Sequence, residues 1–271
     1  MNKQEYIDSH IQKKNKTECY TTMLVIQKLK DNNSIVFTKF GDGEYYCMAG
    51  FEGANCDGDQ YNPPLANALR YAFLKLCDLS YDREDNRIVL GRWHYPDAVT
   101  YCSELYWNHQ VEQNIPVKEI PFVNYHLIYN DDDFNRTNLM YEFVSAVQKF
   151  SNYKVLITNT NNIRLETIFQ ADQFIPIQSN TWHTYQYEEI RNAVDEILKD
   201  HLNALVLIAG GLASKVLIAE LCEKYKQASF LDIGSGFDIL ATKRCTRDHK
   251  HSYEDEVKYY YDLLPENFHT R

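Results

Sequence analysis

Three things are missing from this chain: a surplus of positive charge, paired cysteines and a long apolar run. Lysine and arginine number 28 against 38 aspartates and glutamates, a net charge of −10. A phosphate backbone would be repelled, so nucleic acid is excluded as a partner. The seven cysteines, at 19, 47, 56, 77, 102, 222 and 245, stand singly and form no C-x-x-C pair. Their odd number and scatter exclude a disulfide framework and a structural zinc site, and they read as reduced thiols of a cytoplasmic protein. No apolar segment reaches the roughly 20 residues that span a bilayer. Met1-Asn2-Lys3-Gln4-Glu5 is expected to open a polar helix and not a secretory leader. The triplets at Asn15 and Asn135 then have no route to glycosylation. Repeats, low-complexity tracts and linkers are absent too.

What is present suits one large α/β domain. The length of 271 residues and an apolar content of 44% allow a substantial core. The 21 tyrosines leave two readings open, core packing or the stacking surfaces of a carbohydrate cleft. Residues 3–30 carry apolar positions at helical spacing (Tyr6, Ile7, Ile11, Met23, Ile26, Leu29) and predict one or two helices over a sheet. A strand is expected at 34–38, an irregular glycine-bearing loop at 50–62, and a helix at 65–77 started by Pro63-Pro64. Ile88-Val89-Leu90 reads as a strand, 97–110 as a helix and 120–123 as a strand. Asp131-Asp132-Asp133 reads as a solvated turn before a helix at 135–150. The second half alternates: strands at 154–158, 174–177, 204–209 and 229–233, helices at 161–170, 185–198 and 213–225. Apolar strands separated by helices predict a mostly parallel sheet buried on both faces. Ligands then sit beyond the C-terminal ends of the strands.

Three post-strand segments could carry chemistry. In Phe40-Gly41-Asp42-Gly43-Glu44, two carboxylates lie one residue apart between glycines. On an extended or turning backbone both point to one side and can reach one hard cation. The alternative is plain turn chemistry, with Asp42 capping its own backbone. Thr158-Asn159-Thr160-Asn161-Asn162 is polar and precedes a helix. Gly210-Gly211 precedes a helix with Ser214 in its first turn, an arrangement that suits phosphate or serves only as a structural turn. A last segment, Leu231-Asp232-Ile233-Gly234-Ser235-Gly236, is like the glycine-rich loop of S-adenosylmethionine-dependent methyltransferases. Yet Phe237-Asp238 stands where that pattern expects another glycine, and too little chain follows. A permuted methyltransferase is therefore the alternative reading. His94 and His183, each beside a tryptophan (Trp93, Trp182), are structural or catalytic candidates. The tryptophans are core residues or sugar-stacking surfaces, and His249 and His251 read as solvated.

A strand followed by F-G-D-G-E resembles the D-x-E signature of the GT-D-fold glycosyltransferases. Other landmarks follow in the family's order across residues 34 to 250. They are Gly50 to Leu69 with Gln60 and Pro64-Leu65, Val155-Leu156-Ile157 leading to Asn162 and Arg164-Leu165, Leu205 to Glu220, the "DIGS" strand-loop at Asp232 to Ser235 with Asp238, and Thr246-Arg247. Lys39 stands where the pattern has arginine, and Ser235 where some members have histidine. The resemblance implies a single domain with a Rossmann-like sheet: N-terminal helices over 1–33, the α/β core over 34–250, and a tail helix over 251–271. It implies transfer of a sugar from a UDP-sugar to a glycan or glycoprotein acceptor, with Mn²⁺ or Mg²⁺ as the ion. Asp42 and Glu44 would bind that ion directly or through water. Lys39, Gly41, Gly43, Asn159, Asn162, Gly210, Gly211, Ser214 and Arg247 would face the nucleotide-sugar. Asp232 or Asp238 would serve as base or hold a sugar hydroxyl. For Lys39, Arg247 and the two aspartates, an ordinary surface or turn-capping role stays open. A non-catalytic glycan-binding relative is a further alternative, and a homodimer is compatible with the sequence.

Overall fold

The computed structural model describes residues 1–12, 18–81, 87–92, 95–120, 122–124 and 136–242. Two helices, α1 (Lys3–Gln12) and α2 (Glu18–Lys30), precede strand β1 (Val36–Phe40). There follow α3 (Asp42–Ala49), α4 (Pro63–Tyr81), β2 (Ile88–Arg92), α5 (Pro96–Glu112), β3 (Phe122–Asn124) and α6 (Arg136–Lys149). The second half runs β4 (Lys154–Asn159), α7 (Arg164–Phe169), β5 (Gln173–Ile177), α8 (Trp182–Tyr185), α9 (Tyr187–Asp200), β6 (Leu205–Ala209), α10 (Ala213–Lys224), β7 (Ser229–Asp232) and α11 (Asp238–Thr242). Short 3₁₀ turns at Thr160–Asn162 and Gly234–Phe237 introduce α7 and α11.

All strand pairs are parallel, and the seven strands lie in the order β3-β2-β1-β7-β6-β4-β5. The chain therefore starts in the middle of the sheet and builds outward to β3. It then crosses to the other edge and returns through β6 to place β7 beside β1. Strand order reverses between β1 and β7, the position beyond which open α/β sheets commonly bind ligands.

Strand alternation explains why helices cover both faces. Val36 and Phe40 of β1 enter one apolar cluster and Phe37 the other; Val155 and Ile157 of β4 oppose Leu156 in the same way. The first cluster is closed by α4 (Leu69, Phe73, Leu76), α9 (Ile190, Val194) and α10 (Leu217, Leu221). The second is closed by α2 (Val25, Leu29), α6 (Phe143, Val147) and α7 (Leu165, Ile168). Phe237, from the turn after β7, packs on Phe143 at 4.9 Å and Phe169 at 5.2 Å between ring centroids. Burying one such ring contributes roughly 1.5–3 kcal/mol. That contact fixes the path of the chain just beyond β7.

The expected α/β architecture is present, with local differences. The segment after β1 is helical from Asp42 onward instead of a loop. The α4 helix runs from Pro63 to Tyr81 because Asn62 Oδ1 accepts the Leu65 N–H at 2.9 Å and fixes its start. The helix expected at 185–198 is broken at Gln186, whose Oε1 accepts the Gln178 N–H at 2.9 Å. Gln170, left-handed at φ +52°, ends α7. Among the described residues no helix is long and apolar enough to cross a membrane. The expected turn at 131–133, the Trp93-His94 pair, and everything beyond 242 lie outside the described residues. The last group includes Arg247, His249, His251 and the tail helix.

Candidate functional site

Helix α10 follows the Gly210-Gly211 turn after β6, and its third residue is Lys215. A lysine inside an apolar helix should be paired. Its ammonium lies 2.9 Å from Glu44 Oε1, 2.9 Å from Asp232 Oδ2 and 3.0 Å from the Gly211 carbonyl. Lys215, Glu44 and Asp232 are only 3%, 5% and 1% exposed. One buried ammonium thus ties together three loops, those after β1, β6 and β7. At such depth charges persist only when matched, and removing one partner leaves an uncompensated charge behind.

Asp232, the last residue of β7, is the unusual member. Its contact with Lys215 is ionic and not a well-directed hydrogen bond, and among the described residues neither carboxylate oxygen receives a directed donor. Such a buried carboxylate keeps acceptor capacity at the end of a central strand. Lys39, on β1 and also buried, crosses the start of the following turn. A Cβ on Gly234 would come 2.5 Å from Lys39 Nζ, and Gly234 has φ +51°. The left-handed backbone favours glycine there, while the lysine's end could shift aside.

The two carboxylates of Asp42-Gly43-Glu44 do not lie as an extended backbone would place them. They occupy the first turn of α3, where successive residues rotate by about 100° and positions two apart diverge. Glu44 turns inward: its Oε2 accepts the Gly41 N–H at 2.7 Å, while its Oε1 holds Lys215. Asp42 stays exposed and its Oδ1 accepts the Gly43 N–H at 3.0 Å. Both charges are felt by one neighbour. The Tyr61 hydroxyl is pushed far above its ordinary range, first by burial and then by Asp42, Cys47 and Glu44. The first turn therefore presents one exposed carboxylate, backed by a buried one whose oxygens are already engaged.

The predicted phosphate-facing glycines meet a different partner. Residues 53–60 fold into a tight turn closed by the Ala54–Gln60 bridge. Asn55 Oδ1 accepts the Asp57 and Asp59 N–H groups at 3.0 and 2.8 Å. The buried Asp59 carboxylate accepts the Leu212 N–H at 3.1 Å and the Asn55 side-chain amide at 2.8 Å. It lies so close to Gly211 (φ +63°) that a Cβ there would sit 2.1 Å from Asp59 Oδ2. A Cβ on Gly43 would be 3.1 Å from the Asn55 Cβ. Burial holds the Asp59 carboxyl above its usual range, against the pull of its two hydrogen bonds. An internal carboxylate thus occupies the helix N-terminus at which a phosphate was expected.

Ser214 and Trp182 both face the core. Ser214 is completely buried, and its Oγ has no hydrogen-bond partner among the described residues. It lies under Gly210, where a Cβ would come 2.9 Å from Ser214 Oγ and 2.7 Å from Ile177 Cδ1, so this part of the turn faces the core. Trp182 is likewise a core residue: it is 1% exposed, and its Nε1 donates to the Gly210 carbonyl at 2.7 Å. His183 is half-buried, which depresses its pKa. Asn162 Nδ2 donates to Asp238 Oδ1 at 3.2 Å and to Thr158 Oγ1 at 3.4 Å, joining the loops after β4 and β7. Asn159 Oδ1 is used locally, accepting the Asn161 N–H at 2.9 Å. Sequence reasoning missed Lys215 and Asp59. The first had a signal, a lone cation in an apolar helix immediately after a glycine pair.

The donor set fits a hard divalent ion in one way. Among the described residues no three His, Cys, Asp or Glu side chains converge as a self-sufficient metal site. Mg²⁺ and Mn²⁺ are commonly held by one or two carboxylates together with substrate phosphate oxygens and water. The exposed Asp42 suits that role as a direct ligand. Glu44, with both oxygens engaged, suits a position behind a water.

Two solved structures share this fold. One, a selenomethionine-substituted structure of the domain of unknown function 1792, aligns at a TM-score of 0.55 and 16% identity, covering 89% of this chain and 87% of that one. Another is described as a highly conserved domain of unknown function 1792 with a distinct glycosyltransferase fold. It aligns at a TM-score of 0.54 and 17% identity, over 82% of this chain and 81% of that one. The chain thus has the architecture of a described glycosyltransferase fold. No family model matches the sequence, and no curated protein does.

Proposed function

We propose that this protein is a glycosyltransferase that moves a sugar from a UDP-sugar to a glycan or glycoprotein acceptor with the help of Mn²⁺ or Mg²⁺. The observation that carries the reading is Asp232, a buried carboxylate without a directed donor, held by Lys215 at the strand reversal of a glycosyltransferase-like fold. In the reaction the bond from the anomeric carbon to the diphosphate breaks, and a bond to an acceptor oxygen forms. The acceptor's hydroxyl proton must leave. Asp232 accepts the hydrogen bond of a bound sugar hydroxyl, and its proton when that hydroxyl is the attacking one. Lys215 fixes Asp232 in place through their 2.9 Å contact, and Lys39 reaches the turn that follows it. Asp42 would hold the ion, with Glu44 orienting a water behind it. The ion, when bound, neutralises charge developing on the leaving diphosphate. Asn162 and Asp238 form the wall on the β4 side and offer amide and carboxylate groups to hydroxyls.

The test is a melting-temperature screen with UDP, UDP-sugars and S-adenosylmethionine, each with and without Mn²⁺. A ligand at about 100 times its Kd stabilises by roughly 2.7 kcal/mol. The proposal expects a UDP-dependent rise that needs Mn²⁺ and is lost in Asp42→Ala. A rise with S-adenosylmethionine alone would defeat it.

A further inference from the structure

Helix α3 carries Asp42 and Glu44 in its first turn and Tyr45 and Tyr46 directly after them. The helix ends at Gly50, whose left-handed conformation (φ +83°) turns the chain so that Phe51 folds back over the same face. The Phe51 N–H donates to the Tyr46 carbonyl at 3.0 Å. Ring centroids lie 5.0 Å apart for Tyr45–Tyr46, 5.2 Å for Tyr46–Phe51 and 5.5 Å for Tyr45–Tyr101. Tyr101, from α5, is locked by donating its hydroxyl to the Met48 carbonyl at 2.7 Å. Tyr95 immediately precedes α5, the helix that carries Tyr101. Asp97 raises the hydroxyl pKa of both Tyr45 and Tyr95: for Tyr45 its effect comes after burial, for Tyr95 it is the largest. Asp97 stands in the first turn of α5, and its carboxylate accepts the Tyr95 hydroxyl. Phe51 and Tyr95 remain 52% and 41% exposed.

We infer that this aromatic shelf, with Asp97 at its rim, is the subsite that receives the acceptor glycan. The inference rests on the glycosyltransferase reading of the adjoining site. Sugar rings present faces of C–H groups bounded by hydroxyls. A fixed aromatic face matches the former, and a neighbouring carboxylate accepts from the latter. The shelf is held rigid by backbone contacts, so little ordering cost falls on binding. It shares α3 with the candidate centre, Tyr46 standing one turn after Asp42 on the same side of the helix. Exposed rings rimmed by polar groups mark an interaction surface in any case. The chemistry here favours a saccharide over an apolar partner, because the rings are mostly tyrosines with hydroxyls and an acid at their edge.

The test uses the full chain and saturation-transfer NMR with irradiation of ring protons. Cellotriose, chitotriose and maltotriose serve as probes, with the UDP and Mn²⁺ melting shift measured in parallel. The expected result is saturation of at least one trisaccharide. It should weaken roughly fivefold or more in Phe51→Ser and in Tyr46→Ser. Phe51→Trp should preserve it, and all three variants should keep the UDP shift. No transfer to any trisaccharide, or transfer indifferent to both serine variants, overturns the inference. Loss of a dimer in Phe51→Ser without any saccharide signal also overturns it and assigns the shelf to a second copy of the chain. A ring-dependent saccharide signal without any UDP response upholds the shelf and overturns the glycosyltransferase reading.

Discussion

The two ends of the sheet treat buried polar groups in opposite ways. At the N-terminal ends of the strands, several buried polar groups meet neutral partners, mostly backbone carbonyls. Lys154 Nζ donates to the Phe150 carbonyl at 3.3 Å, Arg87 to the carbonyls of Lys226 and Cys222, and the Ile35 N–H to Ser229 Oγ at 3.1 Å. At the C-terminal ends, charges answer one another across three separate loops, and Asp232 is left without a directed donor. Backbone carbonyls are fixed, neutral partners that serve stability alone. A shared ammonium between two carboxylates holds the loops together and keeps one acceptor ready. The difference sets the two ends of the sheet apart.

The largest test of that contrast is Lys215→Met. It leaves Glu44 and Asp232 buried without their cation, and a loss of about 3–5 kcal/mol is expected. Lys154→Met, which strands only part of one carbonyl's capacity, should cost about 1 kcal/mol. Urea denaturation of both variants checks the ratio, and equal losses would erase the distinction between the ends. Next come the glycines. Gly211→Ala forces a side chain into the left-handed region and onto Asp59. A cost of about 1–3 kcal/mol from strain is expected, with a clash in addition. Gly50→Ala has the same sign of φ and open space around it, so only the strain of roughly 1–2 kcal/mol applies. Adding Asp59→Ala should recover part of the first loss and none of the second.

The smallest expected effect is a pH dependence. Burial raises the folded-state pKa of Asp59 above its unfolded value. Its contribution to stability is therefore fully present below the unfolded pKa and lost as pH rises through the folded one. Asp59→Asn removes that loss. Measured against the wild-type chain at pH 7 and at pH 4, the variant should gain stability at the higher pH relative to the lower. A constant difference would show that the carboxyl titrates as it does in the unfolded chain.

Much of the scaffold was readable in the sequence, for a definite reason. Runs such as Leu205-Val206-Leu207-Ile208 and Phe230-Leu231 are apolar on both faces, and only a sheet covered on both sides accommodates them. The end of β7 at Asp232 and the position of the Gly210-Gly211 turn were likewise legible. The conformation of Asp42 to Glu44 was not. Gly-Asp-Gly is turn chemistry by local rules, and the helix forms because Glu44 caps the Gly41 N–H and then finds Lys215, which lies far along the chain. Asp59 was hidden in a polar stretch, because nothing local tells that its partner is the Leu212 N–H. Ser214 was misplaced because a serine in the first turn of a helix reads as a phosphate contact; the tight packing of Gly210 on Ile177 turns it inward. Long-range pairing decided each of these, and a single sequence carries no mark of it.

The claim that Asp232 waits for a sugar hydroxyl is tested most directly by turnover. UDP release from UDP-glucose, UDP-galactose and UDP-N-acetylglucosamine, with Mn²⁺ present, should be compared between the wild-type chain and Asp232→Asn. The account predicts that at least one donor is cleaved, and that the variant still binds UDP while its rate falls about a hundredfold or more. Equal rates in the two proteins would contradict it.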